Sequence, residues 1–278
     1  MPAGGARSSS FMLGAATVMI GPQASLWDLT PDTHSIGLVK NFSISAEPSM
    51  TELTQGLKNT LVYSVMTGNP VRAQCEVYEY TSKNLAYGLG LDGSSLVPRP
   101  NRYTTNAALN GTAAPGVTTT TFITDTNVSA SFPAGTWIAI QDAADEDKVH
   151  YAKLSAATTN TGTAPTITHT LTFAGYGVKT GVSFAAGATI RALNLVKVGS
   201  TDPLPFFSCK VVGILPENNE PMAVLLPKVR ITRGFTLAFS TENFGNLPFQ
   251  MQPYDLVSTD SFYNDFKNVG QAMLLASS

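Results

Sequence analysis

Across residues 229–239 the chain alternates with a period of two. Val229, Ile231, Phe235, Leu237 and Phe239 hold odd positions together with Arg233, and Arg230, Thr232, Gly234, Thr236 and Ala238 stand between them. A helix would scatter these apolar groups around its axis, whereas a strand gathers them on one face, so the segment reads as a long half-buried strand. Arg233 interrupts the apolar row beside Gly234, which predicts a bulge or a subunit contact there. Beyond it, Asn243, Gly245, Asn246 and Pro248 are expected to end regular pairing, leaving Phe244, Leu247, Phe249 and Tyr254 on an irregular segment. Large apolar groups on a loop need a cover. Two covers stay open: the chain's own core, with the segment as a plug, or a neighbouring subunit, with Phe244, Leu247 and Phe249 as anchors.

The same period recurs elsewhere. In residues 36–46 the even positions Ile36, Leu38, Lys40, Phe42, Ile44 and Ala46 predict a strand with one intruding cation. Residues 47–56 carry Pro48, Ser49, Thr51 and Gly56 and read as a loop longer than the commonest connections. Residues 57–66 and 71–77 alternate again, and Thr67-Gly68-Asn69-Pro70 between them is turn chemistry, so the two read as a β-hairpin. Its core face would be Leu61, Tyr63, Val65, Val71, Ala73, Cys75 and Val77, which sends Thr60, Ser64, Arg72, Gln74 and Glu76 to the other side. From Tyr80 to Leu91 the period lengthens. Thr81 or Ser82 supplies a cap and Gly90 and Gly93 a stop, predicting one short helix laid on the sheet.

Composition shifts at Ser94, and a Thr-rich β region extends to about Gly199. Within it Phe132-Pro133-Ala134-Gly135-Thr136-Trp137-Ile138 and Phe184-Ala185-Ala186-Gly187-Ala188-Thr189-Ile190 share F-x-A-G-x-x-I, an internal repeat of two turn-and-strand units. Such a pair suits a small β-barrel or sandwich. Further strands are expected at 149–154, 166–173 and 189–198. The acidic run Asp142, Asp145, Glu146, Asp147 lacks the bend glycine of a calcium loop and reads as a solvated hairpin tip. Phe207, Cys209 and Val211 then resume alternation, with another apolar strand at 222–226. The fold class expected is mainly β, an antiparallel β-sandwich or barrel with one flanking helix. It spans residues 1–94 and 200–278, interrupted at 95–199 by a smaller β-barrel or sandwich domain.

Charged residues make up only 13% of the 278 and the net charge is −2. That is sparse for the surface of a free monomer and leans toward an assembly. No Lys/Arg cluster suits a generally basic nucleic-acid binder. Cys75 and Cys209 each sit in an alternating apolar row and read as two buried thiols, with no metal-ligand spacing. The apolar run FMLGAATVMI at 11–20 is too weak for a secretory signal, and no run is long enough to span a bilayer. The expectation is a soluble cytoplasmic product with an N-terminal arm, mobile or extended over residues 1–10. His34, His150 and His169 are scattered, there is no HExxH, GxSxG or P-loop, and Gly88-Leu89-Gly90 lacks a dinucleotide-binding context. No catalytic residue, cofactor or metal is expected.

SIGLVKNFSISAEPSMTELTQGLKNT (35–60), EVYEYTSKNLAYGLGLDG (76–93) and PKVRITRGFTLAF (227–239) resemble the tail tube, or major tail, proteins of tailed bacteriophages. The resemblance covers about 14–96 and 198–253. It implies a structural virion protein, not an enzyme, stacked as hexameric rings into a tube through which double-stranded DNA is ejected without specific binding. Its partners would be copies of itself and neighbouring tail proteins, with no membrane. Its place would be the virion tail, assembled in the host cytoplasm. The arm at 1–29 and the loop at 47–56 would reach neighbouring subunits, through Val18, Met19 and Ile20 and through Pro48, Met50 and Leu53. The face carrying Thr60, Ser64, Arg72, Gln74 and Glu76 would turn toward the lumen, with Arg72 either paired to Glu76 or lying at a ring junction. The rival readings are a capsid decoration protein and a carbohydrate-binding or adhesion β module, for which Trp137 is the ring candidate in the interrupting domain.

Overall fold

The computed structural model describes residues 16–55, 59–96, 99, 101–110, 119–175, 177–178, 182–199, 204–215, 220–232 and 247–276. The chain divides into two compact units, Met1–Leu96 with Val196–Ser278, and Val97–Leu195. In chain order the first unit contains β1 (Thr17–Pro22), α1 (Pro31–His34), β2 (Val39–Ala46), β3 (Ser49–Gln55), β4 (Thr60–Gly68), β5 (Val71–Val77) and α2 (Ser82–Gly88). The second contains β6 (Arg102–Thr104), β7 (Leu109–Asn110), β8 (Thr119–Thr124), β9 (Trp137–Gln141), β10 (Val149–Lys153), β11 (Thr159–Thr163), β12 (Thr166–Thr172), β13 (Ser183–Phe184) and β14 (Thr189–Leu193). The first unit then resumes with β15 (Phe207–Leu215), β16 (Glu220–Ile231), β17 (Leu247–Pro253), α3 (Tyr263–Phe266) and β18 (Met273–Ala276). The protein is mainly β and antiparallel, as its alternating segments require.

The first unit is organised by one sheet in the order β1-β15-β16-β17-β5-β2, with β18 also paired to β16. β16 is the hinge of this sheet. Phe207 pairs with Val229 but Cys209 with Leu226, so the 12-residue strand carries one extra residue at Pro227 and Lys228. A bulge bends a strand and strengthens its twist. β16 therefore pairs with β15 and β18 along its first part and with β17 from Val229 onward. β15 and β5, three strands apart in this order, contribute to one core. Val18, Ile20, Cys75, Val77, Tyr87, Phe207, Cys209, Val229 and Phe249 share that cluster. At the bulge, Lys228 Nζ reaches Asp260 Oδ2 at 2.6 Å and lies 4.5 Å from the Phe206 ring centre, so its buried charge is compensated on two sides.

The helix expected after Tyr80 is α2. Thr81 caps it by accepting a hydrogen bond from the Asn84 N–H at 3.1 Å, and Tyr87 packs edge-on to Phe207 in the core. Asn84 Nδ2 donates to the carbonyls of Ile36 and Glu79, both at 2.9 Å, which satisfies a buried amide and fixes the helix to the chain before β2. The helices α1 and α3 are single turns.

Four expectations need correction. The segment around Leu247 is regular: β17 buries Leu247, Phe249 and Met251 on alternate positions and pairs with β5. Pro248 stands within this strand opposite Glu76 of β5. Residues 49–55 form β3 and not a loop, and β4 pairs with β3 rather than with β5. In β2 the pairing slips between Lys40 and Ser43, with Asn41 at φ 54°, so Val39 and Phe42 turn to the core while Leu38 and Ile44 are exposed. The strand containing Val229 begins at Glu220; Arg233, Gly234, Phe235 and Phe244 lie outside the described residues.

Both cysteines are free and buried in this one core. Burial, with Glu76 nearby, pushes the Cys75 thiol up to about 12, and burial with Cys75 nearby raises Cys209 further. The reactive species is the thiolate. Native protein at pH 8 is therefore expected to react with iodoacetamide at least a hundredfold more slowly than urea-unfolded protein, both thiols appearing together on unfolding. Rapid native labelling, followed by mass spectrometry, would contradict this core.

The second unit packs a four-stranded sheet, β10-β9-β14-β6, and a three-stranded sheet, β11-β12-β8, around a core that includes Phe122, Phe132, Phe173, Phe184, Ile138, Ile140 and Ile190. The two F-x-A-G-x-x-I segments build equivalent turns. Thr136 N–H donates to Pro133 O and Ala188 N–H to Ala185 O, with Gly135 and Gly187 at φ 80° and 89°. Positive φ at the third position of such a turn is what glycine supplies. Each turn drops its phenylalanine into the core and launches a strand, and those strands, β9 and β14, pair with each other. Asp142 departs from the solvated tip expected for the acidic run. It is buried, accepts from the Ala144 and Ala185 N–H groups at 2.9 and 3.0 Å, and those bonds hold its carboxyl below the ordinary range.

His169 is fully buried on β12, stacked at 4.7 Å on Phe122, with Nε2 2.9 Å from the Thr124 hydroxyl. Burial lowers its pKa from 6.5. The unfolded chain therefore binds the proton more readily, so the stability this residue contributes is complete above pH 6.5 and is lost as pH falls toward the folded value. The second unit should lose thermal stability as pH falls below 6.5, and His169→Gln should flatten that slope. An unchanged slope in the variant by calorimetry would remove His169 as its cause.

Candidate assembly surface

β3 and β4 form a two-stranded ribbon that, among the described residues, pairs only within itself. It prolongs the β2–β5 pair: Ala46 faces Val71, the Glu47 N–H donates to Pro70 O, and Ser49 faces Gly68. Pro48 and Pro70 separate ribbon from sheet. The ribbon is unusual for what it exposes. Met50, Leu53, Leu61, Val62, Tyr63, Val65 and Met66 are between 44% and 63% exposed. Leu53 stands opposite Tyr63, Thr51 opposite Val65 and Met50 opposite Met66, so apolar groups occur on both faces. Within β3 and β4 the single charged residue is Glu52. An isolated two-stranded hairpin is marginal in water, and clustered exposed apolar groups mark an interaction surface. The adjoining strand β2 ends the sheet, paired among the described residues to β5 alone. The edge it leaves is a template for another strand.

The residues expected at subunit contacts separate into two groups. Pro48, Met50 and Leu53 are exposed on and beside the ribbon. Val18, Met19 and Ile20 are corrected: β1 pairs along its whole length with β15, and the three side chains are 0–1% exposed within the chain's own core. Leu247 and Phe249 are corrected in the same way, at 0% exposed on β17, which resolves their two open readings toward the chain's own core. Phe244 lies outside the described residues.

The five residues expected on one wall also divide. Arg72, Gln74 and Glu76 do point away from the core on β5, while Ala73, Cys75 and Val77 are buried. Ser43 and Ser45 on β2 and Gln250 on β17 stand opposite them, giving a polar outer face of mixed and nearly balanced charge. Glu76 Oε2 accepts from Asn41 Nδ2 and Tyr78 Oη, both at 3.1 Å. Thr60 and Ser64 belong instead to the ribbon, and the supposed core residues Leu61, Tyr63 and Val65 are exposed there. The reason is the pairing: β4 never joins the sheet that covers the core. Among the described residues no three His, Cys, Asp or Glu side chains gather as a metal site, and no helix is long and apolar enough to cross a membrane. In comparisons with known proteins, the chain matches no family model and no curated relative.

Proposed function

We propose that this chain is a structural protein that self-associates through its β3–β4 ribbon, and that the assembly is a phage tail tube of stacked hexameric rings. The observation that carries self-association is the ribbon itself, with seven large apolar side chains exposed on two strands that, among the described residues, pair with no other strand. A second copy is the cover that fits. The ribbon is nearly uncharged and joins an open sheet edge, so a neighbouring strand or ribbon would satisfy backbone groups and apolar groups together. The ring-and-tube form rests on the sequence resemblance, and the sparse charge of 13% agrees with a surface largely covered in an assembly. In this reading the protein is not an enzyme, it resides in the virion tail after assembly in the host cytoplasm, and DNA is a passing cargo. Negative-stain imaging of the purified protein at rising concentration tests it. Six-fold rings or tubes support the tube, whereas particles that stay monomeric at every concentration contradict self-association altogether.

The polar face of β5 supplies the lumen in this proposal. A wall past which DNA slides should not collect phosphate contacts, since each added cation strengthens polyanion binding and repeats in every ring. Gln74→Lys with Glu76→Lys is expected to preserve tubes and slow DNA ejection at low salt, with the defect relieved as salt rises. Ejection at the wild-type rate in low salt would remove this face from the channel wall.

A further inference from the structure

The second unit carries a surface that the assembly reading leaves unused. In the sheet β10-β9-β14-β6, Ile138, Ile140, Ala152, Ile190 and Ala192 point into the core. Alternation turns the residues between them to the opposite side. The register sets those in rows across the strands. Arg102, Arg191, Ala139 and Tyr151 stand opposite one another on successive strands, and Leu193, Trp137 and Lys153 form the next row. Tyr151 is 63% exposed, Trp137 is half-buried, and Arg102 and Lys153 are exposed. The outward positions of the four strands hold three cations and no carboxylate. The Arg191 guanidinium is held by Gln141 Oε1 at 3.2 Å, and Gln141 Nε2 donates in turn to Glu146 O at 3.0 Å.

We propose that this face binds an acidic oligosaccharide, with sugar rings stacked on Tyr151 and Trp137 and their carboxylate or sulfate groups met by Arg102, Arg191 and Lys153. The inference is independent of the tube proposal. Aromatic rings offer flat apolar surface to the C–H face of a sugar while their polar ends stay wet, and arginine forks match carboxylate and sulfate oxygens. Ala139 between them is only 5% exposed, so a ligand would meet the side chains of Tyr151 and Arg191 and not the alanine. Three inter-strand spacings give the patch a width of about 14 Å, which suits a short chain of sugars. A stable protein partner needs about 800 Å² a side, more than this patch offers. A nucleic-acid strand also offers rings and anionic groups, and oligo-dT in the test below separates it from an acidic sugar.

The test titrates full-length protein carrying Trp27→Phe, so that Trp137 alone reports, with oligogalacturonate, a sulfated dextran oligomer, a neutral cello-oligosaccharide and oligo-dT. The expected result is a saturable change in tryptophan emission with one of the two acidic sugars at sub-millimolar concentration. It should weaken at least tenfold in Tyr151→Ala and in Arg102→Ala/Arg191→Ala, with unchanged circular dichroism, and at least tenfold for the neutral sugar. Any of four results overturns the proposal: no saturable response to either acidic sugar at 10 mM, about tenfold above the expected range; binding unmoved by both variants; equal binding of the neutral sugar; or tighter binding of oligo-dT.

Discussion

Deleting residues 1–29 is expected to unfold the first unit rather than to release a dispensable arm. β1 lies at the sheet edge, yet Val18 and Ile20 enter the main core while Met19, Leu26 and Leu29 enter a second cluster with Leu225 and Phe266 on the other side of the sheet. Burial of a large apolar side chain is worth roughly 1.5–3 kcal/mol, so five of them contribute about 10 kcal/mol. That is comparable with the whole stability of a domain, roughly 5–15 kcal/mol. The deletion should yield insoluble or protease-labile protein. A finer variant makes the same point: Ile20→Asp puts a carboxylate into a site with 0% exposure and should cost more than about 4 kcal/mol. Deleting residues 1–15 alone should leave the β1 contacts in place. Soluble, cooperatively melting protein from the 1–29 deletion would show that β1 is not part of the core.

How much of this was legible beforehand depends on what each pattern reports. Alternation revealed β5, β12 and the end of β16, because one face of each is buried and selection for burial writes period two into the sequence. Thr81 and the two F-x-A-G-x-x-I turns were legible because capping and positive φ each demand a short list of residue types. β3 was missed for the opposite reason: every residue in it is exposed, so nothing imposed a pattern strong enough to outweigh Pro48 and Gly56. β17 was hidden by Pro248 and by the Asn243, Gly245 and Asn246 before it, residue types that ordinarily end a strand. β2 was found, but Asn41 shifted its faces, and a one-residue slip reverses which side chains are buried.

The candidate surface failed to appear for a more general reason. Leu61, Tyr63 and Val65 have the spacing of a core-facing strand, and period two is identical whether the cover comes from the same chain or from another copy. Only the pairing of β4 with β3, away from the core sheet, separates the two cases. The same ambiguity misled in the other direction at Val18, Met19 and Ile20, whose apolar run reads equally as an arm for a neighbour and as a strand of its own sheet.

The ribbon gives the second large effect. Leu53 and Tyr63 face each other across it, so Leu53→Glu with Tyr63→Lys replaces an apolar pair by an opposite-charge pair that still supports the hairpin. Neither side chain belongs to the chain's own core, so the fold should melt within a few degrees of wild type. Docked against a second copy, however, two charges would be stripped of water. Each contact should weaken by about 3 kcal/mol or more, over a hundredfold in affinity.

Sedimentation velocity on wild type and this double variant, run over the same concentration series, is the measurement that reaches the central claim. The wild type should sediment as large, concentration-dependent assemblies, and the variant as a 29.4 kDa monomer with an unchanged circular dichroism spectrum. A wild type that stays monomeric throughout, or a variant that assembles as wild type does, would contradict the assignment of the β3–β4 ribbon as the surface that joins copies of this chain.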